Sequence, residues 1–124
     1  MTFDLVWRKR GLVIHFKGVV DGKTLLSATY AVQSDKRFDE LLYMVADYTD
    51  CSEFSASGID LDQTIAMTIA SSLTNAKFRL ARVSTNPQVI AAADGYAAMP
   101  LNAFTVHTFP TLETAFEWLG VENL

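Results

Sequence analysis

The alternation of apolar and polar residues along the chain predicts five strands and four helices. Five short apolar runs have the length of strands: Phe3–Arg8, Leu12–Lys17, Leu41–Ala46, Phe78–Ser84 and Phe104–Phe109. The first two flank the charged turn 9–11 and predict a β-hairpin. The third, LLYMVA, is apolar without a break, which is typical of a central strand covered on both faces.

Four other stretches carry apolar residues at helical spacing behind a residue that can cap a first turn. The first begins after Asp21, the second begins at Asp60 or Asp62 and reaches about Asn75, the third follows Asn86-Pro87 and reaches about Met99, and the last lies between Thr111 and Gly120. Asp, Asn and Thr side chains accept hydrogen bonds from the free N–H groups of a first turn, and glycine commonly ends a helix.

The resulting order of elements is β-β-α-β-α-β-α-β-α. Strands that alternate with helices indicate parallel crossovers and helices on both faces of one sheet. We therefore predict an α/β fold with a single mixed, mostly parallel five-stranded sheet and four helices on its faces. The length of 124 residues suits one domain that spans the whole chain, residues 1–124.

Composition removes several classes of function. The net charge is −4 and no cluster of Lys and Arg occurs, which argues against binding of nucleic acid. Cys51 is the only cysteine, so an intramolecular disulfide is impossible and a reducing compartment is expected. The chain begins without a signal-peptide pattern and contains no apolar run of the length needed to span a membrane. We expect a cytoplasmic protein.

The stretch DYTDCSEFSASGIDLDQ, residues 47–63, separates a predicted strand from a predicted helix. A connection of about a dozen small, polar and acidic residues is uncommon inside a compact domain and is often functional. It can be interpreted as a phosphorylation switch, as an active-site loop, or as a connection alone.

Three segments together resemble the STAS family (sulphate transporter and anti-sigma-factor antagonist domains), and within it the SpoIIAA-like branch. LVIHFKGVVD resembles the family's strand and its turn at Gly18 and Asp21, VADYTDCSEFSASGI resembles its strand and switch loop, and ARVSTNPQV resembles its fourth strand and the next helix start. The resemblance covers nearly the whole chain. It implies a SpoIIAA-like topology and a regulator that binds a protein partner through the loop at residues 50–58.

The switch loop departs from the family's pattern. Antagonists of this family typically have Asp-Ser-Ser-Gly or Asp-Ser-Thr-Gly, and the first hydroxyl residue accepts the phosphate. The equivalent positions here are Ser55, Ala56, Ser57 and Gly58. Because Ala56 has no hydroxyl group, the resemblance implies a loop of the right placement without its phosphate acceptor, and phosphoregulation is disfavoured.

Enzymatic interpretations find few residues to support them. The Asp47 and Asp50 carboxylates near a strand end are similar to those of a receiver domain, but the acidic pair and the Lys that such chemistry needs are missing. An enzyme would require His15, Asp47 or Cys51 to converge in one pocket, and His107 is the only other histidine. We therefore expect a non-enzymatic protein with no cofactor and no metal.

Charge is distributed unevenly along the chain. Between Gln63 and Leu112 only Lys77, Arg79, Arg82 and Asp94 are charged. Helical spacing turns one face of the second helix, with Leu61, Ile65, Ile69 and Leu73, toward the sheet. The opposite face carries Thr64, Met67, Thr68 and Ser71, where a surface helix usually shows Lys and Glu.

The third helix, PQVIAAADGYAAM, is thin, because five alanines and Gly95 leave it few large side chains. We predict that it covers an apolar wall formed by Ile65, Ile69 and Val83. The predicted contact surface lies along helices 60–75 and 86–99 and comprises Ile65, Met67, Thr68, Ile69, Val89, Ile90 and Tyr96.

Uncharged faces of this kind serve as the wall of an apolar pocket, a membrane-contacting surface or a subunit interface. The main hypothesis is a binding module for an apolar or amphipathic small molecule or lipid, with peripheral membrane contact as a related possibility. SpoIIAA-like domains resemble lipid-binding CRAL-TRIO domains in architecture, which favours this ligand class by analogy. The alternatives are the anti-sigma-type regulator and a homodimer.

Overall fold

A computed structural model of the chain describes residues 2–56, 58–74, 78–97 and 105–121. The strands are β1 Phe3–Arg8, β2 Gly11–Val20, β3 Tyr43–Phe54, β4 Arg79–Val83 and β5 Thr105–Phe109. The helices are α1 Gly22–Gln33, α2 Gly58–Thr74, α3 Pro87–Ala97 and α4 Leu112–Leu119. The predicted order of elements is confirmed.

The strands lie side by side in the order in which they follow one another in the chain, from β1 to β5. β1 is antiparallel to β2, and the other neighbouring pairs are parallel. Because crossovers between parallel strands are right-handed, an unreversed strand order places α1, α2 and α3 on one face of the sheet. We call this the three-helix face, and the opposite one, covered by α4, the α4 face.

Capping residues start the helices close to where the sequence predicts. Asp21 accepts a hydrogen bond from the backbone N–H of Thr24 at 2.9 Å, and Thr111 accepts one from that of Thr114 at 3.2 Å. The left-handed φ of 72° at Gly120 ends α4. The cap predicted for α2 is wrong, since this helix begins at Gly58 and Asp60 lies in its first turn.

The predicted long connection at residues 47–63 is also wrong. β3 continues to Phe54, so that only residues 55–57 separate it from α2. Tyr48 and Phe54 are buried and meet edge to face at 5.8 Å, while Val20 of the neighbouring strand is fully buried. A shift in the register of β2 against β3 between His15 and Lys17 breaks the simple alternation, which explains why this strand looked like a loop.

Two apolar clusters hold the sheet. The larger one lies on the three-helix face and joins sheet residues such as Leu12, Ile14 and Leu80 to α1 and to Val89 of α3. The smaller one lies on the α4 face and joins Val13, Val45 and Val83 to side chains of α4: Ala115, Phe116 and Leu119.

A short 3-10 helix at Lys36–Glu40, which the sequence analysis did not predict, joins α1 to β3. The Asp35 carboxylate begins it, accepting hydrogen bonds from the side chain and the backbone N–H of Arg37. The bonds to Arg37 lower the pKa of Asp35 to about 2. Because the folded-state pKa lies below the ordinary aspartate value of 3.8, this interaction stabilises the fold above that pH and is lost as pH falls through about 2.

We predict that NMR titration will find the Asp35 carboxyl still ionised at pH values where an ordinary aspartate has become protonated. In Arg37→Gln its pKa should rise toward the ordinary value, because the guanidinium supplies the largest part of the shift. The backbone N–H of residue 37 remains in that variant, so a partial return is expected. An unshifted Asp35 in the wild-type protein would contradict the prediction.

Candidate functional site

An apolar cavity of about 310 Å³ lies between the sheet and the helices of the three-helix face. We call it the central cavity. Side chains of three strands form its floor: Ile14, Phe16, Met44, Ala46, Leu80 and Arg82. Residues of α1, including Leu25 and Val32, form one wall, and Leu61 and Ile65 of α2 form the other. Val89 and Ala92 of α3 lie at the cavity's border, together with Phe38, Phe54 and Phe78.

The space exists because α2 packs mainly against α1 and approaches the sheet at few points. Thr64 and Thr68 are the α2 side chains that face this gap beside Leu61 and Ile65, and they are too small to fill it. Alanines stand opposite them on the sheet and on α1, at Ala46 and Ala28. Small side chains on facing elements therefore leave a volume at the lower end of the range seen for small-molecule pockets.

The threonines on the walls contribute little polarity. The hydroxyl of Thr29 donates to the carbonyl oxygen of Leu25, that of Thr64 to Asp60, and that of Thr68 to Thr64. Each donor is thus satisfied one turn back on its own helix. Their methyl groups and the neighbouring aliphatic side chains make a mostly apolar lining.

Arg82 is the exception, because it is the one charged side chain among the lining residues that the structure describes. β4 alternates so that Leu80 and Arg82 face the cavity while Ala81 and Val83 face α4. Arg82 pairs in register with Ala46, and its guanidinium hydrogen-bonds to the hydroxyl of Tyr48, two residues further along β3.

Tyr48 is held rigidly beside Arg82. Phe16 stacks on its ring at 4.7 Å with an interplanar angle of 6°, and Phe54 meets it edge to face. Burial raises the pKa of Tyr48, and the charge of Arg82 and its hydrogen bond to the hydroxyl oppose that rise only in part. The phenol is therefore neutral at physiological pH.

The residues predicted for the contact surface are divided among several places. Ile65, Thr68 and Val89 line the central cavity, while Ile69 packs against the same apolar cluster without being part of the lining. Ile90 borders a second, wider space of about 550 Å³ between α3 and β5. Tyr96 lies in α3, but its side chain is outside the described part of the structure.

Three details of that surface are corrected. Thr64 and Thr68, predicted to face outward, face the cavity, and half-buried Met67 accepts a hydrogen bond from Gln33 of α1 at its carbonyl oxygen. Leu73, predicted to meet the sheet, is 66% exposed. Val83 is also not part of the wall with Ile65 and Ile69, because it points to the α4 face.

The residues weighed for catalysis are only partly brought together. His15 and Asp47 meet across β2 and β3, with 2.8 Å between Nδ1 and Oδ2. The other carboxylate oxygen accepts hydrogen bonds from the backbone N–H and the hydroxyl of Thr49. Cys51 packs on the opposite side of the sheet, against the three-helix cluster, and burial raises the pKa of its thiol. The convergence that catalysis would need is therefore incomplete.

The switch-loop equivalent lies at the end of β3. Ser55 is exposed and donates its backbone N–H to the carbonyl oxygen of Val20 at 2.9 Å, while Ala56 packs its methyl group against the large cluster. Gly58 begins α2 with a left-handed φ of 72°, and Ile59 after it is 82% exposed. Ser57 lies outside the described residues.

Within residues 2–56, 58–74, 78–97 and 105–121, no three His, Cys, Asp or Glu side chains come together in a way that could hold a metal ion. None of the described helices is both long enough and apolar enough to cross a membrane.

Known structures resemble this chain in fold. The anti-sigma factor antagonist SpoIIAA in its unphosphorylated form superposes with a TM-score of 0.61 at 10% identity, over 97% of this chain and 99% of its own. Phosphorylated SpoIIAA from Bacillus gives 0.60 at 12% identity, over 94% of this chain and 98% of its own. An uncharacterised Shewanella loihica protein with a SpoIIAA-like fold gives 0.57 at 13% identity, over 94% and 91% respectively.

The chain therefore has the SpoIIAA-like fold that its sequence pattern implies. No family model matches the sequence, and no curated protein matches it significantly. At such low identity the similarity concerns the fold, and function must be argued from the site.

Proposed function

We propose that this protein is a non-enzymatic binding module that takes up an apolar or amphipathic small molecule in the central cavity. The observation that carries the proposal is the cavity itself, about 310 Å³ of mostly apolar space at the centre of the larger cluster. The neutral phenol of Tyr48 and the internally bonded threonines add no strong demand for water.

The energetic cost of leaving such a space empty favours an occupant. Side chains around an apolar space of this size lack packing partners on one side. An apolar ligand that fills the space would supply many of those contacts.

Calorimetric titration with decanol tests the proposal, because this neutral probe has an apolar chain and a single hydroxyl. We expect saturable binding of one molecule per chain with a negative heat-capacity change, since apolar surface is buried. At decanol concentrations about 100-fold above Kd, the unfolding temperature should rise by about 10 °C. No saturable heat and an unchanged unfolding temperature would refute a binding cavity.

A protein partner at residues 50–58 is the second candidate function. It is supported by the fold shared with SpoIIAA, described as an anti-sigma factor antagonist, and by the exposed Ile59 beside Gly58. Ile59→Glu should weaken such a partner and leave decanol binding unchanged, because Ile59 is not part of the cavity lining. Peripheral membrane contact and a homodimer stay predictions.

A further inference from the structure

We propose that two copies of this chain associate through their β1 strands, which pair antiparallel and join the two sheets into one. In this pairing Val6 lies opposite Val6 of the second copy, and Asp4 lies opposite Arg8. The inference goes beyond the proposed function, because it rests on the edge of the sheet and needs nothing from the central cavity. It also differs from the subunit interface along α2 and α3 that the sequence pattern allows.

β1 forms one edge of the sheet, and its outer side offers backbone groups to a further strand. On the inner side, the carbonyl oxygen of Thr2 accepts a hydrogen bond from the N–H of Lys17 on β2 at 2.8 Å. Because successive residues of an antiparallel strand direct their backbone groups to opposite sides, the N–H and C=O groups of Phe3, Leu5 and Trp7 are directed away from β2. Among the described residues, no strand pairs with that outer side.

The side chains of β1 are unusually apolar for an edge strand. Val6 is 46% exposed on the α4 face, beside its register partner Val13, which is buried in the smaller cluster. Leu5 and Trp7 are half-buried on the three-helix face. Apolar edge strands favour pairing with another chain, and monomeric proteins usually protect them. A second β1 would continue the apolar layer from Val13 across both Val6 side chains.

The side chains select one register among those that twofold symmetry allows. A twofold axis at Asp4 would set the two Asp4 carboxylates against each other. An axis at Leu5 would place each Asp4 against Val6 of the other copy, where the carboxylate would lose water beside an apolar side chain. An axis at Val6 pairs valine with valine and sets Asp4 opposite Arg8 on both sides of it. It also lets Leu5 of each copy exchange backbone hydrogen bonds with Trp7 of the other.

Asp4 and Arg8 can meet across the pair while each keeps its contacts within its own chain. Oδ2 of Asp4 lies 2.7 Å from Nζ of Lys17, and the Asp4 side chain is 55% exposed. The Arg8 guanidinium lies over the ring of Phe116, at 5.1 Å from its centre. A carboxylate accepts hydrogen bonds at both oxygens and a guanidinium carries five N–H donors, so each group can bind more than one partner. Opposite charges that face each other on neighbouring strands stabilise the pairing.

Sedimentation velocity of the full chain, at concentrations from about 10 µM to 1 mM, tests the proposal. We expect a reversible monomer–dimer equilibrium in this range, because a single short strand edge makes a small interface. Val6→Lys sets two ammonium groups at the centre of the pairing and should weaken dimerisation at least about tenfold. Val19→Lys is the matched control, since Val19 is 47% exposed on β2 but lies beyond the part of that strand that pairs with β1. A wild-type chain that stays monomeric throughout, or dimerisation that is equally strong in Val6→Lys and Val19→Lys, would overturn the inference.

Exchange of charges tests the register. Asp4→Arg and Arg8→Glu should each dimerise weakly alone, because like charges then face each other, and an equimolar mixture of the two variants should form a heterodimer. If Arg8→Glu does not fold, disulfide crosslinking gives the second test. Val6→Cys in a Cys51→Ser background should form a covalent dimer in oxidised glutathione, whereas Val19→Cys in the same background should not. A mixture without heterodimer, or the absence of a crosslink in the Val6→Cys variant, would overturn the proposed pairing.

Discussion

Replacing Thr68 with phenylalanine is expected to weaken decanol binding at least about fivefold without destabilising the ligand-free protein. Thr68 is half-buried on α2 and points into the central cavity, so the larger ring can enter the space that the ligand uses. Overpacking of a filled site costs about 1–3 kcal/mol, which corresponds to about fivefold to 150-fold in affinity. In the empty cavity the same ring buries apolar surface and should add about 1 kcal/mol to stability.

Ala70→Phe is the matched control, because Ala70 is exposed on the same helix. It should leave decanol binding within about twofold of wild type, since surface changes rarely alter other sites. Calorimetry with alcohols of decreasing length sharpens the test: hexanol should lose less affinity than decanol in Thr68→Phe, because a shorter chain still fits beside the ring. Unchanged decanol affinity in Thr68→Phe would place the binding site elsewhere.

Removal of the Phe78 ring should lower the free energy of unfolding by about 3–5 kcal/mol, as is usual when a buried phenylalanine becomes alanine. Phe78 is almost fully buried, and its ring lies 6.1 Å from that of Phe38, with both at the border of the central cavity. The space left by the ring joins the cavity. A ligand that occupies the cavity should therefore stabilise Phe78→Ala more than it stabilises the wild-type protein.

Phe116→Ala separates this effect from a general loss of stability. Phe116 is buried in the α4 cluster, on the far side of the sheet from the cavity. Its removal should cost a similar free energy, but decanol should stabilise that variant only as much as wild type. Denaturant unfolding with and without decanol measures both quantities. Equal gains from decanol in both variants would show that the ligand does not fill the space next to Phe78.

A contact surface was predicted along α2 and α3, and the central cavity that the structure shows there takes its floor and one wall from other elements. The sequence identified three of the residues that line the cavity: Ile65, Thr68 and Val89. They stand on helix faces without charges, and such a face can be recognised from the sequence of one helix alone. The prediction missed other lining residues, namely Phe16, Tyr48 and those of α1. They line the same cavity only because of which strands and helices are neighbours in the fold. Arg82 carried a signal that could have been used, since RLARV places a charge on the same side of a strand as an apolar residue.

Several features that depend on hydrogen bonds between nearby residues were predicted correctly, whereas one that depends on distant contacts was not. The caps at Asp21 and Thr111 and the stop at Gly120 depend on hydrogen bonds within a few residues, so they can be inferred from neighbouring letters. The extension of β3 to Phe54 depends on pairing with β2 and on contacts of Tyr48 with distant rings. The shift in register against β2 breaks the alternation of that strand, so its exposed polar residues made it look like a loop.

The order of strands and helices and the α/β class follow from hydrophobic periodicity, because each element has its own repeat and its own capping residues. The central cavity follows from features that no single segment contains. An unreversed strand order places three helices on one face, α2 rests on α1 and meets the sheet at few points, and small side chains on facing elements leave the gap open. Packing between residues far apart in the chain created this site, which is why it became visible only in three dimensions.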